Sequence, residues 1–213
     1  MNVKSVLFDF DGTLFELKVA WDQVRQELKD FLKFPGPASE FKPLKPRIQE
    51  FVRDLPEGKR IERQAYEIIS KHEIKGAEEG SPHEGAREIL EWCRNQGIKI
   101  VILSRNTRRS IFPVIKKYQW PQPDLIIARE DVKKEKPDPE AGLLALEKLQ
   151  LQKEDCLIVG DSLPDLEMAK NLGIKSVLYH NPRHEFIPKD HADFFIQNLL
   201  ELKEKCKLAL DKW

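Results

Sequence analysis

The chain has 213 residues, of which 36 are lysine or arginine and 36 are aspartate or glutamate, so its formal net charge is zero. This length is enough for one sizeable hydrophobic core, or for a core domain with a smaller insert, and we expect one or two domains. Because the charges balance, no overall field would attract nucleic acid or a membrane surface. Any affinity for an anionic ligand must be built locally.

The first ten residues and the three cysteines indicate a cytoplasmic protein. The N-terminal segment is a short apolar run that leads directly into acidic residues, without a signal-peptide cleavage site, so we expect a strand there. No apolar stretch reaches the roughly 18 to 20 residues that cross a bilayer, which predicts a soluble protein. Cys93, Cys156 and Cys206 lie far apart without CxxC spacing, which favours free thiols over disulfides or structural zinc.

Short apolar runs rich in β-formers alternate with helical patterns along most of the chain. Apolar strands separated by helices are typical of a parallel sheet that is covered on both faces. The sequence therefore predicts a doubly wound, Rossmann-like α/β fold. The predicted strands are residues 3–8, 98–103, 125–128, 156–159, 176–179 and 194–196.

Local signals mark where several helices should begin. The Ser-Pro-His-Glu motif at 81–84 combines an N-cap residue, a proline at the first helical position and an acidic first turn, so it predicts a helix that ends before Gly97. The Asp-Pro-Glu motif at 138–140 predicts a second helix, and a third should follow the Gly-Asp-Ser motif at 160–162. A helix rich in lysine, glutamate and leucine is predicted for residues 197–213, with its charges on a solvated face.

The segment after the first strand interrupts this alternation. Residues 16–80 contain helical patterns at 19–34 and 60–72, several prolines and no convincing strand. We therefore predict an α/β core domain of residues 1–15 and 81–213, with residues 16–80 as an inserted all-helical cap domain. An insert at this point would lie at the carboxyl ends of the strands, where open sheets bind ligands, and it could act as a lid.

The first predicted strand leads into the motif Asp-Phe-Asp-Gly-Thr at 9–13. Asp9 and Asp11 are thus two carboxylates at the end of one buried strand, and a hard, oxygen-binding cation such as Mg²⁺ would relieve their repulsion. Gly12 would let the chain turn sharply, and Thr13 could tie the turn with its hydroxyl. Taken alone, the motif could also be only a strand-ending turn.

Polar residues follow three further strands of the predicted sheet. Hydroxyl and amide donors occur at 104–106 after the second strand, and Lys136 precedes the helix after the third. Asp161 follows the fourth strand, with Asp165 in the next helix. Carboxylates, a hydroxyl and an ammonium group at the ends of successive strands are a complete set for phosphoryl transfer.

The order and spacing of these motifs resemble the haloacid dehalogenase superfamily of aspartate-nucleophile phosphohydrolases. Members carry DxDGT, a Ser or Thr after the second strand, a Lys before the next helix, and GDSxxD. In this chain the four features are residues 9–13, Ser104, Lys136 and residues 160–165. The resemblance spans nearly all of the core, and the helical insert resembles the cap of the phosphoglycolate phosphatase and β-phosphoglucomutase branch.

The resemblance implies a role for each matching residue. Asp9 would be the nucleophile and a metal ligand, Asp11 the acid/base with its backbone carbonyl on Mg²⁺, and Asp161 the third protein ligand. Lys136 would offset phosphate charge, and Ser104 would donate a hydrogen bond to a phosphate oxygen. Since Asp11 must begin protonated to protonate the leaving alkoxide, its environment should favour the acid form more than that of Asp9 does.

The supporting residues are open to more than one interpretation. Asp165 would hold a metal-bound water or orient Lys136, and Thr13 would support the site from outside the ligand set. Arg105 and Asn106 would either contact the phosphate or cap the next helix.

Other residues invite functional interpretations that the pattern does not favour. Lys133 and Lys134 also precede the helix, but the Lys-Pro dipeptide favours the lysine at 136. His180, His184 and His191 have irregular spacing in a proline-containing loop, which is typical of surface histidines and not of a metal site.

Hydrolysis of a small phosphorylated metabolite through a phosphoaspartate is the function that these residues predict, with phosphoglycolate as a family-level guess. A sugar phosphomutase of the β-phosphoglucomutase type would use the same residues, and the motifs do not separate the two. A haloacid dehalogenase itself would need neither Asp11 nor Asp161. A phosphorylation-switch receiver module has similar acidic residues but is smaller and lacks the insert.

Arg25, in the first insert helix, could contact an anionic part of the substrate, or it could serve packing and surface charge. The sequence does not predict an oligomeric state.

Overall fold

The computed structural model describes residues 3–182 and 187–208, and the chain divides into two compact units. The core unit comprises the residues up to 16 and those from 80 onward, and the helical unit comprises residues 17–79. Among the described residues, no helix is both long and apolar enough to cross a membrane.

Eight strands and eight α-helices are formed by the described residues. The strands are β1 (Ser5–Phe8), β2 (Phe15–Glu16), β3 (Ser81–Pro82), β4 (Lys99–Leu103), β5 (Leu125–Ile127), β6 (Cys156–Gly160), β7 (Lys175–Tyr179) and β8 (Phe194–Ile196). The helices are α1 (Trp21–Leu32), α2 (Leu44–Val52), α3 (Gly58–Glu79), α4 (Ala86–Asn95), α5 (Arg108–Lys117), α6 (Glu140–Leu149), α7 (Leu163–Leu172) and α8 (Leu202–Leu208).

Six of the strands form one parallel sheet in the order β5-β4-β1-β6-β7-β8, which confirms the predicted doubly wound α/β fold. At its centre, Phe8 of β1 is in register with Ile102 of β4 and Val159 of β6. The chain builds the sheet from β1 to one edge and then returns to build the other half. The strand order therefore reverses beside β1, and a crevice at such a reversal is where open sheets bind ligands.

The core unit is held together by the apolar strands and the helices on them. All four residues of β1 are buried, as expected for a central parallel strand covered on both faces. Helices α6 and α7 pack on one side, where Leu7, Val101 and Ile158 of the sheet join Ala145 and Met168 of these helices in one apolar cluster. The sheet is thus a rigid support for the residues that follow its strands.

A two-stranded antiparallel ribbon corrects one of the helix predictions. Ser81 and Pro82 form β3 and pair with Glu16 and Phe15, whereas the 81–84 motif was predicted to start a helix. The helix begins only at Ala86, after Gly85 in a left-handed conformation with φ of 79°. The motif satisfies the local rules for a helix start, but pairing with a strand 65 residues earlier in the chain takes precedence.

The other two predicted helix starts are confirmed. Helix α6 begins at Glu140, whose backbone N–H donates to Asp138 Oδ1 at 3.0 Å. Helix α7 begins after Ser162 in a capping box with Asp165.

The predicted C-terminal helix occurs as α8, preceded by a short 3-10 turn, and residues 209–213 lie outside the described part of the chain. Its buried Leu202 and Cys206 show that it packs on one face and is not only solvated.

The helical unit has its own apolar core. Val24 and Leu28 of α1, Ile48 of α2, and Ala65 and Ile69 of α3 belong to one buried cluster. The predicted helical patterns correspond to α1 and to a longer α3. The sequence did not predict α2, because prolines at 43 and 46 resemble helix breakers. Both lie at the start of α2, where a missing N–H costs nothing.

Candidate active site

Asp9 is the first residue after the central strand. Its backbone N–H donates to the carbonyl of Val159 at 2.8 Å, so β6 fixes it at the carboxyl edge of the sheet. Asp9 is 8% exposed, and the next residue, Phe10, is completely buried. The Phe10 ring stacks on Phe15 at 5.7 Å between centroids and meets Trp120 edge-on at 6.4 Å. This aromatic packing anchors the motif between its two aspartates.

The turn after Asp11 is built from Gly12 and Thr13. Gly12 has φ of 93°, a left-handed conformation that favours glycine, and its N–H donates to the carbonyl of Phe15 at 2.7 Å. Thr13 is buried, and its hydroxyl donates to Asp161 Oδ1 at 3.2 Å. The expectation that this hydroxyl ties its own turn was wrong, since it links the turn to the end of β6.

Lys136 lies at the centre of the polar cluster. Its Nζ is 2.5 Å from Asp9 Oδ1, 2.6 Å from Asp165 Oδ1 and 3.0 Å from the carbonyl of Leu103. The side chain is buried, whereas Lys133 and Lys134 are exposed. Of these three lysines, Lys136 is thus the one that the structure brings to Asp9.

Asp165 is held on both of its carboxylate oxygens. Oδ1 accepts from Lys136, and Oδ2 accepts from the hydroxyl and, at 3.2 Å, from the backbone N–H of Ser162. Close packing against Gly160 confines it further, because a Cβ at position 160 would lie 2.4 Å from the Asp165 carboxyl carbon. These contacts favour the interpretation that Asp165 orients Lys136 over the alternative that it holds a metal-bound water.

Asp9, Asp161 and Asp165 form a buried acidic cluster. Each contributes one carboxylate oxygen to a set in which all atoms lie within 4.8 Å of one another. A compact set of carboxylate oxygens fits a hard divalent cation such as Mg²⁺. Asp11 is half-buried and its carboxylate is outside this set. The ligand that the resemblance assigns to Asp11 is its backbone carbonyl.

The electrostatics of Asp9 and Lys136 are dominated by burial and by each other. Burial raises the pKa of Asp9 to about 7; Lys136 opposes this rise, and Asp165 and Asp161 add to it. Burial alone would lower the pKa of Lys136, but Asp165 and Asp9 together raise it above its usual value. Lys136 therefore stays positively charged, and additional positive charge near Asp9 would favour its carboxylate form.

The residues after β4 form a hydroxyl–amide pair. Ser104 Oγ donates to Asn106 Oδ1 at 2.8 Å and accepts from the Asn106 backbone N–H at 3.0 Å, and both residues are buried. The N-cap of α5 is Thr107, so the interpretation of Arg105 or Asn106 as that cap was wrong. Arg105 is exposed.

Two features of the site were missed in the sequence. Asn181, two residues beyond β7, is buried and donates from Nδ2 to the carbonyl of Gly12 at 3.0 Å. Glu140 accepts the backbone N–H groups of Lys133 and Lys134 at 2.9 and 2.8 Å, which fixes the segment before Lys136. Asp161 was identified because it is a polar residue just after a buried strand, and the same criterion would have identified Asn181.

Other residues of interest lie outside the acidic cluster. His180 is half-buried, His191 is exposed, and His184 is outside the described residues. Arg25, in the helical unit, pairs with Asp22 on the same helix at 2.6 Å. The three cysteines are buried, and burial raises the pKa of each thiol above its usual value.

A parallel α/β sheet with aspartates and a buried lysine at the carboxyl edge beside β1 is the arrangement expected of a phosphohydrolase. Residues 6–179 match the family model described as haloacid dehalogenase-like hydrolase, and the chain belongs to this family. The resemblance predicted from the motifs, including its phosphoglycolate phosphatase branch, is confirmed.

Relatives with assigned activities are phosphatases of several kinds. The chain is 27% identical over 219 residues to pyrophosphatase PpaX of Halalkalibacterium halodurans, covering 95% of this chain and 96% of that one. It is 24% identical over 233 residues to the N-acetylmuramic acid 6-phosphate phosphatase of Pseudomonas aeruginosa, covering 99% and 97%. The crystal structure of CbbY from Rhodobacter sphaeroides in complex with phosphate has the same fold, with a TM-score of 0.70, 23% identity and coverage of 94% and 96%.

Proposed function

We propose that this protein hydrolyses small phosphate monoesters through a phosphoaspartate at Asp9, with Mg²⁺ as cofactor. The observation that supports the proposal best is the contact between Lys136 Nζ and Asp9 Oδ1. Asp9 also belongs to the acidic cluster, in which one carboxylate oxygen from each of three aspartates lies within 4.8 Å of the others. A buried carboxylate that faces a permanently charged ammonium group is suited to attack an anionic ester, because the ammonium offsets the repulsion.

Asp9 and Asp161, with the Asp11 backbone carbonyl, would hold the cation, which when bound neutralises negative charge on the phosphate and on Asp9. Asp9 attacks phosphorus and becomes the acyl phosphate. Asp11 protonates the leaving alkoxide and later removes a proton from the water that cleaves the acyl phosphate. The positive charge of Lys136 stabilises the negative charge on the phosphate oxygens, and the hydrogen bond to Asp165 keeps the lysine side chain in place. The Ser104 hydroxyl would exchange its bond to Asn106 for a bond to phosphate.

We also propose that residues 17–79, which are inserted after β2, select the organic part of the substrate as a cap. The residues proposed to handle phosphate all belong to the core unit, and we therefore assign selection of the substrate to the helical unit, which contributes none of them. Phosphoglycolate, which the family resemblance suggests, is one candidate substrate, and the activities of the relatives suggest others.

The test is a panel of phosphate compounds with purified protein and Mg²⁺, measuring inorganic phosphate. The panel contains p-nitrophenyl phosphate, 2-phosphoglycolate, N-acetylmuramic acid 6-phosphate, sugar phosphates and inorganic pyrophosphate. We expect release of inorganic phosphate from at least one monoester, loss of turnover in excess EDTA and recovery with Mg²⁺.

Two outcomes would contradict the proposal in different ways. Full turnover in excess chelator, with no metal found by elemental analysis, would remove the cation from the reaction. Conversion of one sugar phosphate into its isomer without release of inorganic phosphate would identify a phosphomutase instead of a phosphatase.

A further inference from the structure

A polar network lies beside the acidic cluster and has no part in the mechanism given above. It consists of Glu16, His83, Tyr179 and Asn181, all in the core unit, and we call it the Asn181 network. Asn181 Nδ2 is 3.0 Å from the Gly12 carbonyl oxygen and 3.4 Å from Glu16 Oε2. His83 Nε2 lies 3.3 Å from the same Glu16 oxygen, and His83 Nδ1 lies 3.2 Å from the Tyr179 hydroxyl.

The network joins the end of β7 to the β2–β3 ribbon. Tyr179 is the last residue of β7 and Asn181 follows two residues later, while Glu16 ends β2 and His83 follows β3. Asn181 is 3% exposed and Tyr179 is 6% exposed. Because Nδ2 faces a carbonyl and a carboxylate, which both accept hydrogen bonds, the orientation of the Asn181 amide is determined. The network therefore holds a donor in a fixed position.

That donor binds the peptide between Gly12 and Thr13, which is the second peptide after Asp11. On one side, the Gly12 N–H is bound to the Phe15 carbonyl at 2.7 Å, and on the other the Gly12 carbonyl accepts from Asn181. Gly12 has the left-handed φ of 93° and no side chain to limit rotation, so these two bonds restrain the peptide planes on either side of Gly12, and the first of these planes includes the Asp11 carbonyl.

Asp9 is fixed by different contacts. Its backbone N–H is bound to Val159 of β6, and its carboxylate to Lys136. Neither of these contacts involves Gly12 or Asn181. Loss of the Asn181 contact would therefore remove one restraint on the turn that follows Asp11 and leave both of these Asp9 contacts in place.

We propose that Asn181 is a positioning residue for Asp11, holding the Gly12 peptide so that the Asp11 carboxyl can transfer protons. This inference rests on the acid/base role of Asp11 in the proposed function. Proton transfer needs a carboxyl within hydrogen-bond reach of the leaving oxygen, so a misplaced Asp11 slows the steps that need a proton. Attack by Asp9 on an ester with a good leaving group needs little protonation, so the rate of this step should change little.

The test compares Asn181→Leu, which keeps volume but removes the N–H donor, with Asn181→Ser, which keeps a shorter polar group. Asn198→Ala is the matched control, since Asn198 also makes a local hydrogen bond, accepting from the Leu200 N–H at 2.8 Å, but has no contact with Gly12. Rates are measured for a series of alkyl and aryl phosphates whose leaving groups differ in pKa, with Asp11→Asn as reference.

For Asn181→Leu we expect a loss of about 30-fold or more in kcat/KM for alkyl phosphates, within the usual contribution of acid–base catalysis. With p-nitrophenyl phosphate, the first step should change less than about threefold, so that a burst precedes slow turnover. Asn181→Ser should show the same pattern with a smaller loss. Asn198→Ala should leave the dependence on leaving-group pKa unchanged.

Equal losses for all leaving groups, or none, while Asp11→Asn shows a strong dependence, would overturn the role of Asn181 but keep that of Asp11. Loss of the folded state in both Asn181 variants, judged by circular dichroism, would show a purely structural role and also overturn it. If Asp11→Asn shows no dependence on leaving group and wild type forms no phosphoenzyme, the proposed function itself fails.

Discussion

Charge is used differently in the two units of this molecule. At the carboxyl edge of the core sheet, the side chains of Lys136, Asp9 and Asp165 are at most 10% exposed and form one connected group. In the helical unit, ion pairs such as Arg60–Glu57 lie at the surface, with both side chains more than half exposed. Exposed pairs contribute little to stability, whereas buried charges are costly to desolvate and persist where something requires them.

The helical unit also contains buried residues that can carry charge. Lys45 and Glu73 of the helical unit are buried ionisable residues, and each has interaction partners. Buried ionisable residues are therefore candidate functional residues in either unit. The indication of a catalytic site is stronger where such residues follow several strands that end at the same edge of a sheet.

The largest effect on turnover should come from replacing Asp9 or Asp11, the two carboxylates that follow the central strand of the core sheet. Asp9→Asn removes the proposed nucleophile, so we expect turnover to fall by at least about 10⁴-fold, without any phosphoenzyme. Asp11→Asn with p-nitrophenyl phosphate should instead give a burst of at most one equivalent and then stall. Rapid mixing and intact-protein mass spectrometry, which should locate phosphate on Asp9, measure both. A burst from Asp9→Asn would show that the nucleophile is another residue.

The buried ammonium group should have the next largest effect. Lys136→Ala should lower turnover by about 100-fold or more, because the charge faces the phosphate in a buried site where screening is weak. Lys133→Ala is the matched control in the same segment, since Lys133 is exposed, and it should change turnover by less than about threefold. The reverse order of the two losses would show that the wrong lysine is assigned.

If Asp9 is a ligand of Mg²⁺, as proposed, the affinity for this ion should depend on pH, because Asp9 must lose its proton to bind the cation. Since burial raises the pKa of Asp9 to about 7, the carboxyl is protonated below that pH and protons compete with the metal. The dissociation constant should therefore increase about tenfold for each pH unit below 7 and level off above it. Titration calorimetry in buffers of different ionisation enthalpy measures affinity and proton release together. An affinity that stays constant from about pH 5.5 to 8 would contradict the raised pKa.

The smallest effect should come from the surface of the helical unit. If residues 17–79 select the substrate, Arg25→Ala should raise KM for anionic natural monoesters by up to about fivefold, the size of one accessible charge contact. The KM for p-nitrophenyl phosphate should not change. Arg60→Ala, which breaks an exposed pair in the same unit, is the control. Equal changes for every substrate would indicate a structural role for Arg25.

The fold was predictable because its signals are local. Each of the six sheet strands is a short apolar run ended by polar residues, and parallel burial leaves no alternation that could be misassigned. The β3 strand was not predictable, because Ser81 and Pro82 have no strand pattern and are defined only by their partners Glu16 and Phe15. Helix α2 was missed because its prolines serve its first turn.

The site likewise contains some contacts that local sequence signals predict and others that depend on distant partners. That Asp9, Lys136 and Asp161 would come together follows from the rule that parallel strands end at one edge, and the structure places them there. The Thr13 bond to Asp161 and the Asn181 bond to Gly12 join residues 148 and 169 positions apart. Such contacts depend on the depth and direction of individual side chains, which a sequence pattern does not encode. The chemical roles of these residues remain predictions.

The β2–β3 ribbon has a consequence for how this family can diversify. By pairing Glu16 with Ser81, it holds the two ends of the inserted segment about 4.8 Å apart, as neighbouring strands are. Any segment whose own ends meet at that spacing could replace residues 17–79 without disturbing a sheet strand, and the entropic cost of a longer replacement grows only slowly with its length. The ribbon thus fixes the two attachment points of the insert, so that evolution or a protein engineer could exchange the inserted segment and retain the core sheet.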